Sequence, residues 1–160
     1  MNTKIFTICL AAFMVFGLGV STFAGTTVGG SVEKDFTDDS ILYGGYLRTG
    51  GLFKLELGGT RSYTSSSSQI KLFSYFLVNL NLGSIGLNSG SLDFYFGASP
   101  DMTLDTSTPS FSLSNSSAYG KVGLELKIFP FSVQLESKSR FELSGNFTNL
   151  LGGLGVGLTF

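Results

Sequence analysis

The side chains in this sequence that could do chemistry are charged residues spaced two positions apart. Glu136, Lys138 and Arg140 follow this spacing, and so do Glu125 and Lys127. Carboxylates at such positions could act as general acids or bases, and carboxylates beside cations could pair with them or line a channel. Residues two apart lie on the same face of a β-strand. The spacing therefore predicts that these charges share one face of a sheet.

The same alternation places most of the charged residues of the chain on one face of the predicted sheet. Seven cations and seven anions fall there, so their charges balance. Because buried charges must pair or stay hydrated, we expect an interior network of ion pairs; the alternative is a narrow charge-lined channel or a proton path. The predicted members are Arg48, Lys54, Glu56, Lys71, Asp93, Lys121, Glu125, Lys127, Glu136, Lys138, Arg140 and Glu142, with Glu33 and Asp35 from the first predicted strand.

Several classes of chemistry are excluded by missing residue types. The sequence has no histidine, which removes Ser-His hydrolases and histidine metal sites, and its single cysteine, Cys9, allows neither a disulfide framework nor a thiolate zinc site. Asp101 and Asp105 supply too few oxygen ligands for calcium. A formal net charge of −1 without a basic run argues against nucleic-acid binding. We expect no enzyme activity, no cofactor, no metal and no nucleic-acid partner.

The composition is typical of a membrane protein. Hydrophobic residues make up 42% of the 160 residues. Charged residues make up 13%, about half of the roughly 25% found in soluble domains. Nevertheless, no stretch after residue 24 contains the ~18 consecutive apolar residues of a spanning helix. The two facts are compatible if the chain crosses a membrane with strands.

The first 24 residues have the pattern of a secretory signal peptide. Lys4 gives the start a positive charge, residues 5–20 are apolar apart from Thr7, and small residues precede Ala24. This order of charge, apolar core and small-residue cleavage site is that of an export signal. We expect residues 1–24 to be cleaved, with an uncleaved anchor as the alternative. Cys9 would leave with them.

Apolar residues alternate with polar or small ones from residue 26 to residue 160. Phe131, Val133 and Leu135, for example, oppose Gln134 and Glu136. Alternate side chains of a strand point to opposite faces, so one face is apolar and the other is not. The pattern predicts eight strands near residues 26–36, 40–49, 51–62, 69–83, 91–99, 118–128, 131–143 and 149–160.

The predicted fold class is all-β, an eight-stranded antiparallel up-and-down transmembrane β-barrel formed by residues 25–160. An even number of strands closes with both termini on one side, and shorter turns at one end with longer loops at the other are typical of bacterial outer-membrane barrels. The longest predicted loop is residues 100–117. An aromatic girdle also suits a membrane interface; it comprises Phe53, Phe94, Phe131 and Phe160. The alternative is a soluble exported β-sandwich, whose strands alternate as well.

The last predicted strand carries a more specific pattern. Leu154, Val156, Leu158 and Phe160 alternate with small residues up to a terminal aromatic, which resembles the C-terminal signature of outer-membrane barrels. In length and layout, residues 25–160 resemble the small eight-stranded barrels of the OmpA/OmpX type. The resemblance implies a bacterial outer-membrane location, contact with outer-membrane lipids, and recognition of these four residues by the outer-membrane insertion machinery. Similar small barrels include lipid-modifying enzymes that use a histidine, which this chain lacks.

The sequence therefore predicts an envelope protein with a plugged lumen that acts in a structural, adhesion or docking role through its surface loops. A protein partner could bind a patch formed by Met102, Leu104, Phe111 and Leu113, although these residues could equally pack the predicted loop onto the barrel rim. Two alternatives remain open at this point. One is a narrow solute or ion pore, and the other is a soluble β-sandwich that serves as a structural or fibre subunit.

Overall fold

The computed structural model describes residues 25–63, 68–85 and 90–160. The predicted signal peptide, including Cys9, lies outside these residues. No helix in the described part of the chain is long and apolar enough to cross a membrane.

Eight antiparallel strands form one closed ring. Each strand pairs with its predecessor, and β8 pairs with β1 to complete the barrel. This confirms the predicted up-and-down barrel. The sandwich alternative is wrong, because a sandwich consists of two open sheets. The strands are β1 (Thr26–Asp35), β2 (Ile41–Gly50), β3 (Phe53–Ser62), β4 (Gln69–Ile85), β5 (Gly90–Asp105), β6 (Ser110–Ile128), β7 (Phe131–Glu142) and β8 (Phe147–Thr159).

The two ends of the barrel differ. At the terminal end, the Thr26 N–H donates to the Phe160 carbonyl over 3.2 Å and the Phe160 N–H donates to the Thr26 carbonyl over 2.9 Å. The connections at residues 51–52 and 129–130 lie at this end. The loop end carries the connections β1–β2, β3–β4, β5–β6 and β7–β8.

Side-chain parity follows the sequence pattern around the ring. Val28, Val32 and Leu154 lie on the outer face, exposed by 51, 56 and 60%, whereas Glu33 and Arg48 on the inner face are each 2% exposed. Because a strand alternates its side chains between two faces, one parity of every strand supplies an apolar wall. The other parity fills the interior, which in an eight-stranded barrel is just wide enough for side chains.

The predicted long loop at residues 100–117 is wrong. β5 continues to Asp105 and β6 begins at Ser110, so residues 106–109 form a short turn. Met102 lies opposite Leu113, and Leu104 lies opposite Phe111. These apolar pairs stabilise the two strands. The serine, threonine and proline content of the segment obscured their alternation in the sequence.

Inward glycines make room for the large rings of the interior. Gly123 lies directly opposite Tyr95 in the β5–β6 pair, and a Cβ atom on Gly123 would come within 2.5 Å of the Tyr95 ring. The Gly29–Tyr46 pair has the same arrangement, with a corresponding distance of 2.4 Å. The rings therefore lie flat across the neighbouring strand. The buried apolar cluster of the interior consists of Tyr46, Phe73, Tyr75, Leu77 and Tyr95.

Candidate functional site

The charged side chains of the interior form a chain of ion pairs that starts near the terminal end with Asp93 of β5. Its carboxylate lies 2.7 Å from Lys127 Nζ and 3.7 Å from Lys54 Nζ. The side-chain amides of Asn79 and Asn81 donate to the same carboxylate over 3.1 and 2.8 Å. The group is held by four consecutive strands of the ring, β3, β4, β5 and β6.

Glu125 of β6 carries the chain inward from that group. Lys54 Nζ lies 2.8 Å from Glu125 Oε2, and Arg48 Nη1 lies 3.4 Å from the same oxygen. The amide of Gln134 donates to Glu125 Oε1 over 3.3 Å. Glu125 is 0% exposed, so these contacts replace the water that an ionised carboxylate would otherwise hold.

Arg48 of β2 occupies the centre of the interior. Its guanidinium donates to Glu56 Oε2, with the Nε contact at 2.7 Å, and to Gln134 Oε1 over 3.1 Å. The guanidinium carbon lies 4.4 Å from the centroid of the Tyr95 ring and 5.6 Å from that of Tyr46. The planar group therefore combines ion pairing with stacking on aromatic faces, which an ammonium group does less well.

Lys121 of β6 links this centre to the loop end. Lys121 Nζ lies 2.6 Å from Glu56 Oε1 and 2.5 Å from Glu136 Oε2. The ammonium group also lies 5.1 Å from the centroid of the Tyr75 ring. The Tyr95 hydroxyl donates to Glu136 Oε2 over 3.1 Å. One cation thus bridges two carboxylates from strands that are not neighbours of each other.

Lys138 of β7 completes the chain. Lys138 Nζ lies 3.0 Å from Glu136 Oε1 and 2.6 Å from Glu33 Oε1. It lies 4.9 Å from the centroid of the Phe73 ring. The chain therefore runs from β5 at one end of the interior to β1 at the other, with cations and anions in contact throughout.

We call this set the lumenal ion chain. It contains five cations and five anions, and every side chain in it except that of Lys127 is at most 5% exposed. Removing one partner of such a buried pair leaves an uncompensated charge, which costs several kcal/mol. The members are Arg48, Lys54, Lys121, Lys127, Lys138, Glu33, Glu56, Asp93, Glu125 and Glu136.

Four residues of the predicted network lie outside the lumenal ion chain. One of them, Asp35, is buried, and the other three, Arg140, Lys71 and Glu142, are partly buried. Arg140 pairs instead with Asp101, over 2.8 Å from Nε to Oδ2. Lys71 and Glu142 form no ion pair with another described residue within 4.0 Å, and Glu142 accepts a hydrogen bond from Ser144 Oγ over 3.3 Å. The three partly buried residues lie toward the loop end, where water can hydrate a charge without a partner.

Two acidic residues at the loop end have roles that the sequence pattern did not indicate. Asp35 is 0% exposed and accepts hydrogen bonds from Asn149 Nδ2 over 3.1 Å and from the Thr37 N–H over 2.9 Å. It is therefore satisfied by amides and not by a cation. Asp101, assigned to a loop from the sequence, is the partner of Arg140, and only the strand register at the loop end places the two together.

The residues of the predicted insertion signal lie in β8 or directly after it, on the outer face. Leu154, Val156, Leu158 and Phe160 are exposed by 60, 63, 44 and 76%. Their role in insertion stays a prediction. Among the described residues, no group of three or more potential metal-ligating side chains is close enough to hold an ion.

The closed ring, the apolar outer wall and the charged interior define a small eight-stranded β-barrel of the outer-membrane type. Among the solved structures that share this fold, the N-terminal β-barrel domain of Pseudomonas aeruginosa OprF matches with 16% identity and a TM-score of 0.56, covering 85% of this chain and 97% of that chain. Neisserial surface protein A matches with 10% identity and a TM-score of 0.54, covering 86% and 97%. No family model matches the sequence, and no curated protein matches it.

Proposed function

We propose that this protein is an integral outer-membrane barrel whose interior is plugged by the lumenal ion chain and which acts through its surface, in a structural, adhesion or docking role. The single observation that carries this proposal is the lumenal ion chain itself. Its charges balance and its members contact one another across the interior. A chain of this kind uses the inward side chains to fill the barrel and leaves the outer surface for function.

The outer wall supports the membrane part of the proposal. Outward side chains such as Val122, Val133 and Val156 are 47 to 63% exposed, and water would be a costly environment for such a continuous apolar surface. A closed barrel satisfies every backbone group within its own ring, which a bilayer requires of any strand that crosses it. Outer-membrane lipids are thus the proposed partners of the wall, and the insertion machinery is the proposed partner of β8.

The charged interior also favours a role without catalysis. Each carboxylate of the lumenal ion chain faces at least one cation within 3.0 Å. A general acid or base must reach a substrate to exchange a proton with it, and these carboxylates are instead buried in contact with their partner cations. We therefore propose that these groups are structural, with the surface at the loop end available to an envelope or surface protein.

Electrical conductance separates the plugged barrel from the narrow pore. We expect the purified full chain, inserted in a planar lipid bilayer, to give no steady single-channel current, because an eight-stranded barrel has no interior space beyond its side chains. A matched variant with Arg48→Ser, Glu56→Ser and Lys121→Ser should conduct, because it removes three long side chains from the interior. The net charge of the interior changes by only one unit. Steady current through the unmodified chain would support the pore and contradict the plug.

A further inference from the structure

The wall of the barrel extends farther at the loop end on the side of β4, β5 and β6 than elsewhere. Leu72 lies opposite Met102 and Ile70 lies opposite Leu104 in the β4–β5 pair. Met102 and Leu104 lie in turn opposite Leu113 and Phe111 of β6. Directly opposed residues of an antiparallel pair point to the same face. We call the resulting surface the apolar hairpin face; it comprises Ile70, Leu72, Met102, Leu104, Phe111 and Leu113.

A bulge in β6 turns this face outward. Nearer the middle of the barrel, the outward side chains of β6 are those of Ala118, Gly120 and Val122. If this alternation continued unbroken toward the loop end, Ser112 would point outward and Leu113 would point inward. The register shifts between Pro100 and Met102, which sets Leu113 opposite Met102 and leaves residues 114–117 opposite a single residue of β5. A bulge redirects the side chains beyond it. Here it keeps the apolar side chains on the same face as the wall below.

The bulge is held by polar contacts on the inner side of the barrel. Ser117 Oγ donates to Asp101 Oδ2 over 2.8 Å, and Arg140 Nε donates to the same oxygen over 2.8 Å. Near the tip, Ser68 Oγ donates to Asp105 Oδ1 over 2.8 Å and the Thr106 N–H donates to the Ser68 carbonyl over 3.0 Å. The polar contacts lie on the inner side of the hairpin, and its apolar side chains lie on the outer side, where Phe111 is exposed and the other five are half-buried.

The extent of the apolar wall differs between the two sides of the barrel. On β5, outward apolar residues run from Leu92 to Leu104, which corresponds to ~40 Å along a strand at ~3.4 Å per residue. At a tilt of ~40° this is ~30 Å along the barrel axis, compared with the ~25 Å apolar band of outer-membrane barrels. On the other side the outward apolar run is shorter, from Val28 of β1 to Phe36 just after it and from Ile41 to Leu47 on β2. Charged residues interrupt the apolar surface there near the loop end, at Lys34 of β1 and Arg61 of β3.

From this asymmetry we infer that the apolar hairpin face contacts membrane lipid at the interface of the loop end, so that the barrel is embedded more deeply on the β4–β6 side than on the β1–β3 side. The inference rests on the proposed membrane location. Lipid is the occupant because the face continues the apolar wall without an intervening charge and carries no charged side chain of its own. On the β1–β3 side, Lys34 and Arg61 suit the polar headgroups of the lipid instead. Phe111, 58% exposed, lies at its upper edge.

Fluorescence quenching of single labelled cysteines tests this inference. The background is the full chain with Cys9→Ala, reconstituted in phosphatidylcholine vesicles. Phe111→Cys reports on the apolar hairpin face, Ser112→Cys reports on the opposite face one residue away, and Val122→Cys reports on the middle of the wall. Each labelled variant is exposed to nitroxide-bearing lipid and, separately, to iodide in water.

We expect lipid nitroxide to quench the label at position 111 at least about threefold more than the label at position 112, since an interfacial apolar face lies within the headgroup and acyl boundary. Iodide should show the opposite order. Strong iodide quenching at position 111 would overturn the inference, and so would protection from both quenchers, which a bound protein would give. In either case, lipid quenching of the label at position 122 would still support the membrane location. Loss of lipid quenching at position 122 contradicts the proposed function itself.

Discussion

Replacing Arg48 with methionine is expected to lower the free energy of unfolding by about 3–5 kcal/mol, which is the usual effect of removing one partner from a buried ion pair. Arg48 is 2% exposed and contacts both Glu56 and Glu125. Methionine retains much of the volume but leaves both carboxylates short of a cation in the interior. Urea unfolding in detergent micelles, followed by far-ultraviolet circular dichroism because the chain has no tryptophan, measures the loss.

Arg140 provides the matched control for this prediction. Its side chain is 31% exposed and pairs with a single carboxylate, that of Asp101, so Arg140→Met should cost about 1 kcal/mol or less. Adding Glu56→Gln to Arg48→Met should recover part of the stability, because it removes one of the two carboxylates left unpaired. Equal losses for Arg48→Met and Arg140→Met would show that the lumenal ion chain does not stabilise the barrel.

Replacing Gly123 with valine is expected to lower the free energy of unfolding by about 1–3 kcal/mol or more, the range for forcing atoms into a filled interior. The new Cβ would lie 2.5 Å from the Tyr95 ring and 2.8 Å from the Leu135 carbonyl oxygen. The ring would have to move away, which would also break its contact with Arg48 and its hydrogen bond to Glu136. The same denaturant titration reports the change.

Gly120 lies on the same strand but faces outward, and it is the control for Gly123. The nearest atom to a Cβ at Gly120 would be in the Phe141 ring, at 3.5 Å, which is an ordinary contact distance. Gly120→Val should therefore be neutral or slightly stabilising, since valine suits a strand better than glycine does. If both substitutions destabilise the barrel to the same extent, the loss comes from the strand backbone and not from the packing of Tyr95.

The parity of the strands could be predicted from the sequence because it depends on a local rule. Glu125 and Lys127 of β6 follow the two-residue period, and so do Glu136 and Lys138 of β7. Alternation alone assigns each to the inner face. The closed ring followed from the number of strands and from the need to satisfy every strand edge in a bilayer.

The partners within the interior could not be predicted, because they depend on register and on the stagger of the strands around the ring. Lys121 of β6 meets Glu56 of β3 although the two strands do not pair. Likewise, Asp101 meets Arg140 only because β5 continues past Pro100 and β6 contains a bulge. The pairing of glycines with aromatic rings depends on register in the same way. Composition misled the prediction at residues 100–117, where serine and threonine are strand residues.

The measurement that most directly tests the central claim is separation of the inner and outer membranes of bacteria that produce the full chain, followed by electrophoresis with and without heating. A closed barrel that spans the outer membrane should be recovered in that fraction and should migrate differently before and after heating, because its ring resists detergent until heat opens it. Recovery of the protein in the periplasm or the medium without detergent, with one mobility under both conditions, would contradict the account.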